Sequence, residues 1–125
     1  MTSQGRGSAV LLVVLIVVVN LQWRSVEGHV YTVGGTQGWG FHSYKKFSAV
    51  KYRAGDSLVF IYPQFEHKVV QVWSKEDYDK CVVSKGAKSY TSGRDKIVLK
   101  RGWNYFICPC KGHCSNGMKL KVKAF

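Results

Sequence analysis

Residues 104–118 read Asn-Tyr-Phe-Ile-Cys-Pro-Cys-Lys-Gly-His-Cys-Ser-Asn-Gly-Met, and no other stretch of this 125-residue chain limits its fold as strongly. A hydrophobic, strand-like run ends at Cys108. Four residues intervene before His113, and four more before Met118. A thiol, an imidazole and a thioether this close on one loop make a soft-to-borderline donor set. That set suits copper, which must be stable as both Cu(I) and Cu(II). It needs a rigid scaffold and a further imidazole from elsewhere in the chain. His67, at the start of the apolar segment 68–73, is the candidate.

The scaffold is read from seven short segments: 29–33, 57–62, 68–73, 88–91, 95–99, 103–107 and 118–124. Each is rich in β-branched, aromatic or alternating apolar residues. Turn signals separate them at Gly34-Gly35, Gly55-Asp56, Gly86 and Gly93, and Pro63 stops the second by withdrawing a backbone donor. In the last segment Leu120, Val122 and Ala124 alternate with lysines, the pattern of a half-buried strand whose edge is guarded by charge. The one predicted helical turn is 75–80, with Ser74 as its cap and Glu76 and Asp77 at its positive end. Trp39 and Phe41 are expected in the core, and His42 at the surface without a metal role. The spacing predicts an all-β fold: an antiparallel, Greek-key β-sandwich of two sheets with one short helix.

Residues 1–28 have the layout of a secretory leader, with Arg6 in a polar start, an apolar run at 9–19 and a polar stretch up to Gly28. The run falls short of the roughly 20 apolar residues of a membrane span and fits a signal segment. Cleavage after Gly28 is expected, leaving residues 29–125 as one extracellular domain. A core of that size is modest, so a disulfide or a metal would add needed stability. The oxidising secretory route permits the disulfide.

All four cysteines fall in residues 29–125. With Cys108 at the metal, Cys81 and Cys114 remain to pair. Neighbours in an extended loop point oppositely, so His113 can face the metal while Cys114 faces Cys81. Cys110 is left over, as a free thiol, a competitor for Cys81 or a replacement for Cys108. A zinc site at Cys108, Cys110, His113 and Cys114 lacks the second, separated ligand pair that structural zinc usually takes. A metal-free disulfide domain is the plainest alternative. An N-terminal His29 binding copper through its amine and ring would depend on the cleavage position.

The net charge is +12. Losing Arg6, Arg24 and Glu27 with the leader leaves about +11 by formal counting. Such a field draws a protein to polyanions. A secreted protein seldom meets nucleic acid, so none is expected as a partner. An acidic redox partner, a small molecule or an acidic cell-wall polysaccharide fits better, with the chain acting as a monomer. A solubilising surface charge with no dedicated partner explains the excess equally well. Four protein ligands leave no open position for a substrate, and no nucleophile–base constellation is visible, so no enzymatic activity is expected.

The motifs Val30-Tyr-Thr-Val-Gly-Gly with Gly38-Trp39, Ala54-Gly-Asp-Ser-Leu-Val-Phe, His67-Lys-Val-Val, Tyr78-Asp-Lys-Cys81, Gly102-Trp-Asn-Tyr-Phe-Ile-Cys108, Gly112-His113-Cys114 and Gly117-Met118-Lys119 run through residues 29–125. Together they resemble the phytocyanins, plant secreted cupredoxins, and within them the plantacyanin branch. The resemblance implies a cupredoxin-like sandwich holding one type 1 copper ion through His67, Cys108, His113 and Met118. It also implies a Cys81–Cys114 disulfide and a role as an apoplastic one-electron carrier. A second role, in extracellular signalling or cell-wall binding with copper structural or incidental, is also compatible with it. The chain departs from the family pattern between two ligands, where Pro109-Cys110-Lys111 replaces the usual aromatic-then-proline sequence.

Overall fold

The computed structural model describes residues 28–42 and 44–125, so the predicted leader lies, apart from Gly28, outside the described residues. Within them two sheets face each other. One has the order β1-β2-β5, formed by β1 (Val30–Thr32), β2 (Ser57–Ile61) and β5 (Arg94–Val98). The other has the order β4-β3-β6-β7, formed by β3 (Val69–Val72), β4 (Lys88–Tyr90), β6 (Gly102–Ile107) and β7 (Lys119–Ala124).

Every neighbouring pair is antiparallel except β1–β2, which is parallel. That one pair departs from the purely antiparallel expectation. Residues 33–56 separate the two strands, long enough for the crossover that parallel pairing requires. They carry a 3-10 turn (Gly35–Gln37) and α1 (Lys45–Ser48), a helix additional to the one expected. Tyr44 precedes α1 without a side-chain cap, so the usual start signal is missing from the sequence. The expected helix, α2 (Lys75–Lys80), forms as predicted, and the Asp77 N–H donates to Ser74 Oγ at 3.0 Å.

Period-two alternation along β6 sorts its side chains between two apolar clusters. Phe106, and Cys108 just past the strand, belong to the main core between the sheets with Phe60, Leu58, Trp39, Leu120 and Met118. Tyr105 and Ile107 point to the opposite face, where they meet Val70, Val72, Tyr78 and Cys114. The helix α2 and its flanking residues cover that face. Burying each large apolar side chain contributes about 1.5–3 kcal/mol, so the strand leading to Cys108 is anchored on both faces. Asn104 is buried and fastens the β5–β6 turn. It accepts from the Lys100 N–H and donates to the carbonyls of Lys100 and Gly102.

β7 is a sheet edge, as its lysines suggested. Leu120, Val122 and Ala124 are buried on its inner face. Its register puts Lys119 opposite Ile107, so the chain returns from the 108–118 loop directly beside the strand it left.

Candidate metal centre

The loop 108–118 is held closed by its own backbone. The Cys108 N–H donates to the Met118 carbonyl at 3.0 Å, and the Met118 N–H donates to the His113 carbonyl at 3.0 Å. Inside that frame the His113 N–H donates to the Cys110 carbonyl at 2.9 Å and the Gly117 N–H to the Cys114 carbonyl at 3.0 Å. Gly112 (φ 77°) and Gly117 (φ 102°) adopt the left-handed conformation that lets the loop turn this tightly. Three residues of the predicted set are thereby fixed relative to one another.

His67 reaches the loop from the other sheet connection, two residues before β3. Its N–H donates to the Pro63 carbonyl, and the carbonyl of the next residue, Lys68, accepts from the Trp39 indole N–H at 3.0 Å. Trp39 is 2% exposed, so a core side chain sets where His67 enters the site. The sequence had marked Trp39 only as a core residue.

The donors converge. His67 Nδ1 stands 3.3 Å from His113 Nδ1, and Cys108 Sγ stands 3.4 Å from His113 Nδ1. The ligating atoms of His67, Cys108 and His113 all lie within 4.8 Å of one another. Two atoms bound at about 2.0–2.3 Å to one ion, at near-tetrahedral angles, stand about 3.3–3.8 Å apart. The two closest separations fall in that range, and the nitrogen and sulfur donors are those that copper takes. Met118 is fully buried in the same core cluster as Cys108.

The profile of the plastocyanin-like domain matches residues 39–118, a span that begins at the core tryptophan and ends at the candidate thioether ligand. The chemocyanin of Lilium longiflorum is 42% identical over 125 residues, covering 98% of each chain. The chain belongs to the phytocyanin family. Two solved structures agree with it in shape as well as sequence. Cucumber basic protein, a blue copper protein, superposes with a TM-score of 0.73 at 46% identity, covering 77% of this chain and 99% of that one. Spinach plantacyanin gives a TM-score of 0.67 at 42% identity, covering 77% and 99%. The His67–Cys108–His113–Met118 set is thus a candidate type 1 copper site in a phytocyanin fold.

The surroundings of this phytocyanin site act differently on its imidazole and on its thiol. Burial, and then the adjacent His113, lower the pKa of His67, while Glu66 acts the other way. Neutral imidazole is the form that binds a metal. Burial raises the Cys108 pKa. The backbone N–H groups of Lys68 and Cys110 oppose that rise, and the Cys110 thiol adds to it. The N–H groups aimed at the sulfur are the kind of hydrogen bond that tunes a metal thiolate.

The cysteines sort in one way. Cys81 and Cys114 form a disulfide with Cα atoms 5.8 Å apart. Cys108 and Cys110 are free. The Cys110 thiol points to the Glu66 carbonyl at 3.7 Å, so it links the ligand loop to the loop carrying His67. His42 lies outside the donor cluster and packs edge-on against Tyr44.

Phe41 corrects the sequence reading. It was expected in the core beside Trp39, yet it is 50% exposed. Its ring meets His113 edge-on at 5.0 Å and His67 at 6.1 Å, so it covers the imidazoles. Residues 39–41 form a bend after Gly38 (φ 73°), which turns Phe41 away from the core that holds Trp39. No local signal in the sequence could have revealed this contact.

Proposed function

We propose that this phytocyanin is a secreted one-electron carrier, with His67, Cys108, His113 and Met118 holding a single type 1 copper ion. The observation that carries the reading is the convergence of two imidazole Nδ1 atoms and one buried thiol within 4.8 Å, on elements fixed by the core. When bound, copper supplies a Cu(II)/Cu(I) couple that gains or loses one electron.

The protein's own residues account for the rest. Cys108 offers a thiolate from a buried position at a strand end. His67 and His113 would offer neutral imidazoles, and Met118 a weak thioether sulfur that would help set the potential. The hydrogen-bonded loop and the Cys81–Cys114 disulfide hold these donors in one arrangement, so little rearrangement accompanies electron exchange. Both imidazoles are half-buried beside the exposed Phe41, which gives electrons a short path to the surface.

Secretion is supported by the apolar run 9–19 in the predicted leader and by a disulfide that oxidising compartments permit. With four protein ligands the site has no open position for a substrate, which favours a carrier over an enzyme.

Titrating the folded protein with Cu(II) should produce an intense visible thiolate-to-copper band. Cys108→Ser should abolish it and Cys110→Ser should leave it. A folded protein that stays colourless refutes the type 1 assignment.

A second reading, an extracellular binding protein in which copper is incidental, draws on the basic surface. A Cys108→Ser protein that folds and keeps its full biological activity would favour it.

A further inference from the structure

We propose that the groove between β4 and β5 binds an acidic polysaccharide, a chain of uronate sugars. The two strands are edges of different sheets, joined by the short connection 91–93 on one flank of the sandwich. The groove between them measures about 360 Å³ and is lined by Gln71, Trp73, Lys88, Tyr90, Lys96 and Lys100, with Ile97 and Val98 at its wall. That volume lies within the roughly 300–1,000 Å³ typical of small-ligand sites.

Three features select this ligand class. Lys88, Lys96 and Lys100 are exposed, no acidic residue lines the groove, and among the described residues no carboxylate lies within ion-pair distance of these lysines. A cleft with one sign of charge focuses its field on a counter-charged ligand. Trp73 is 45% exposed, and its indole N–H donates to the Gly86 carbonyl at 2.8 Å, which fixes the ring plane. Lys100 Nζ stands over the Trp73 ring, 4.3 Å from its centre, so one face of the indole already carries an ammonium. A part-exposed aromatic ring set among spaced cations complements a pyranose ring carrying a carboxylate. Edge lysines also discourage strand pairing, but that task requires no exposed tryptophan.

A second basic hollow, lined by Tyr44, Tyr78, Lys45, Lys119 and Lys121, lacks these features. Both tyrosines are buried, and the Lys119 ammonium donates to the Tyr78 carbonyl at 3.1 Å. Trp73 is six residues beyond His67, about 20 Å along an extended chain. The Trp73 end of the groove is therefore the end away from the candidate metal site, and Tyr90, opposite Val69, marks the nearer end. The choice of a uronate chain over nucleic acid rests on the proposed secretion.

The test uses the full chain produced through a secretory host and kept metal-free, so it does not depend on the copper assignment. Oligogalacturonate is titrated into isotope-labelled protein and followed by amide NMR. The Trp73 indole N–H and the amides of β4 and β5 should shift together. Lys88→Gln with Lys96→Gln and Lys100→Gln should weaken binding about tenfold, the scale expected when three exposed charges are neutralised together. The charge-matched set Lys51→Gln, Lys111→Gln and Lys123→Gln should change it little. Trp73→Ala should weaken oligogalacturonate binding but not the weaker binding of polyglutamate, and Trp73→Phe should restore much of it. Variants are compared only where their thermal midpoints match the parent. Equal losses from the two lysine sets would show a diffuse field and overturn the proposal. Tighter binding of single-stranded DNA or polyglutamate at the same groove would overturn the sugar assignment.

Discussion

Removing the Cys81–Cys114 disulfide separates two physical contributions that meet at one residue. Cys81→Ser with Cys114→Ser opens a loop closed across 33 residues. The chain-entropy relation makes that closure worth about 3–4 kcal/mol. Cys81 is also the C-cap of α2, at φ 56° and ψ 42°, and among the described residues it is the only non-glycine with positive φ. A left-handed conformation costs an L-residue about 1–2 kcal/mol, and glycine is spared most of that. The disulfide therefore holds Cys81 where a helix would ordinarily end on glycine. Cys81→Gly with Cys114→Ser should recover about 1 kcal/mol relative to the double serine variant, since both lose the same crosslink. Guanidinium unfolding of the metal-free proteins, followed by tryptophan fluorescence, measures both differences. The double serine variant should melt roughly 12–30 °C below the parent at about 4–8 °C per kcal/mol. A loss below about 1 kcal/mol would refute the loop-closure argument. Equal stability of the serine and glycine variants would refute the account of strain at position 81.

Acid should weaken the metal-free protein through His67. Its folded pKa lies below the ordinary 6.5, so the unfolded chain takes up the proton first as pH falls. The stability that neutral His67 contributes is complete above that ordinary value and is lost as pH drops through the lower, folded one. Denaturant midpoints across an acid series should show the decline, and His67→Asn should flatten it. Phe41→Ala should cost about 1 kcal/mol, the scale of its edge contacts with the two imidazoles. It should leave copper binding intact while a chelator removes the metal faster. Unchanged stripping rates would remove Phe41 from the role of cover.

Much of the ligand loop was legible because its information is local. Cys108, His113 and Met118 lie within eleven consecutive residues, and the strand before them announces itself by composition. The α2 cap at Ser74 was readable for the same reason, since the side chain and the amide it caps are three residues apart. The parallel β1–β2 pair and α1 were not readable. Strand direction depends on how the intervening 24-residue connection runs through space, and α1 lacks a capping residue. Cys110 stayed ambiguous because nothing local separates it from Cys108 or Cys114. Its position against Glu66, on a different loop, decides that it is free.

The sequence alone determined which donors this phytocyanin could offer to a metal, because ligand chemistry belongs to residue type and short-range spacing. The way those donors meet was decided by tertiary structure. The 3.3 Å approach of His67 to His113 joins residues 46 positions apart. Trp39 sets the entry of His67 through a hydrogen bond across 29 positions. Phe41 leaves the core to cover both imidazoles. These contacts come from packing two sheets around one core, and no periodicity within a single segment encodes them. For the same reason the β4–β5 groove, where edges of both sheets gather Trp73, Lys88, Lys96 and Lys100, is invisible until the chain has folded.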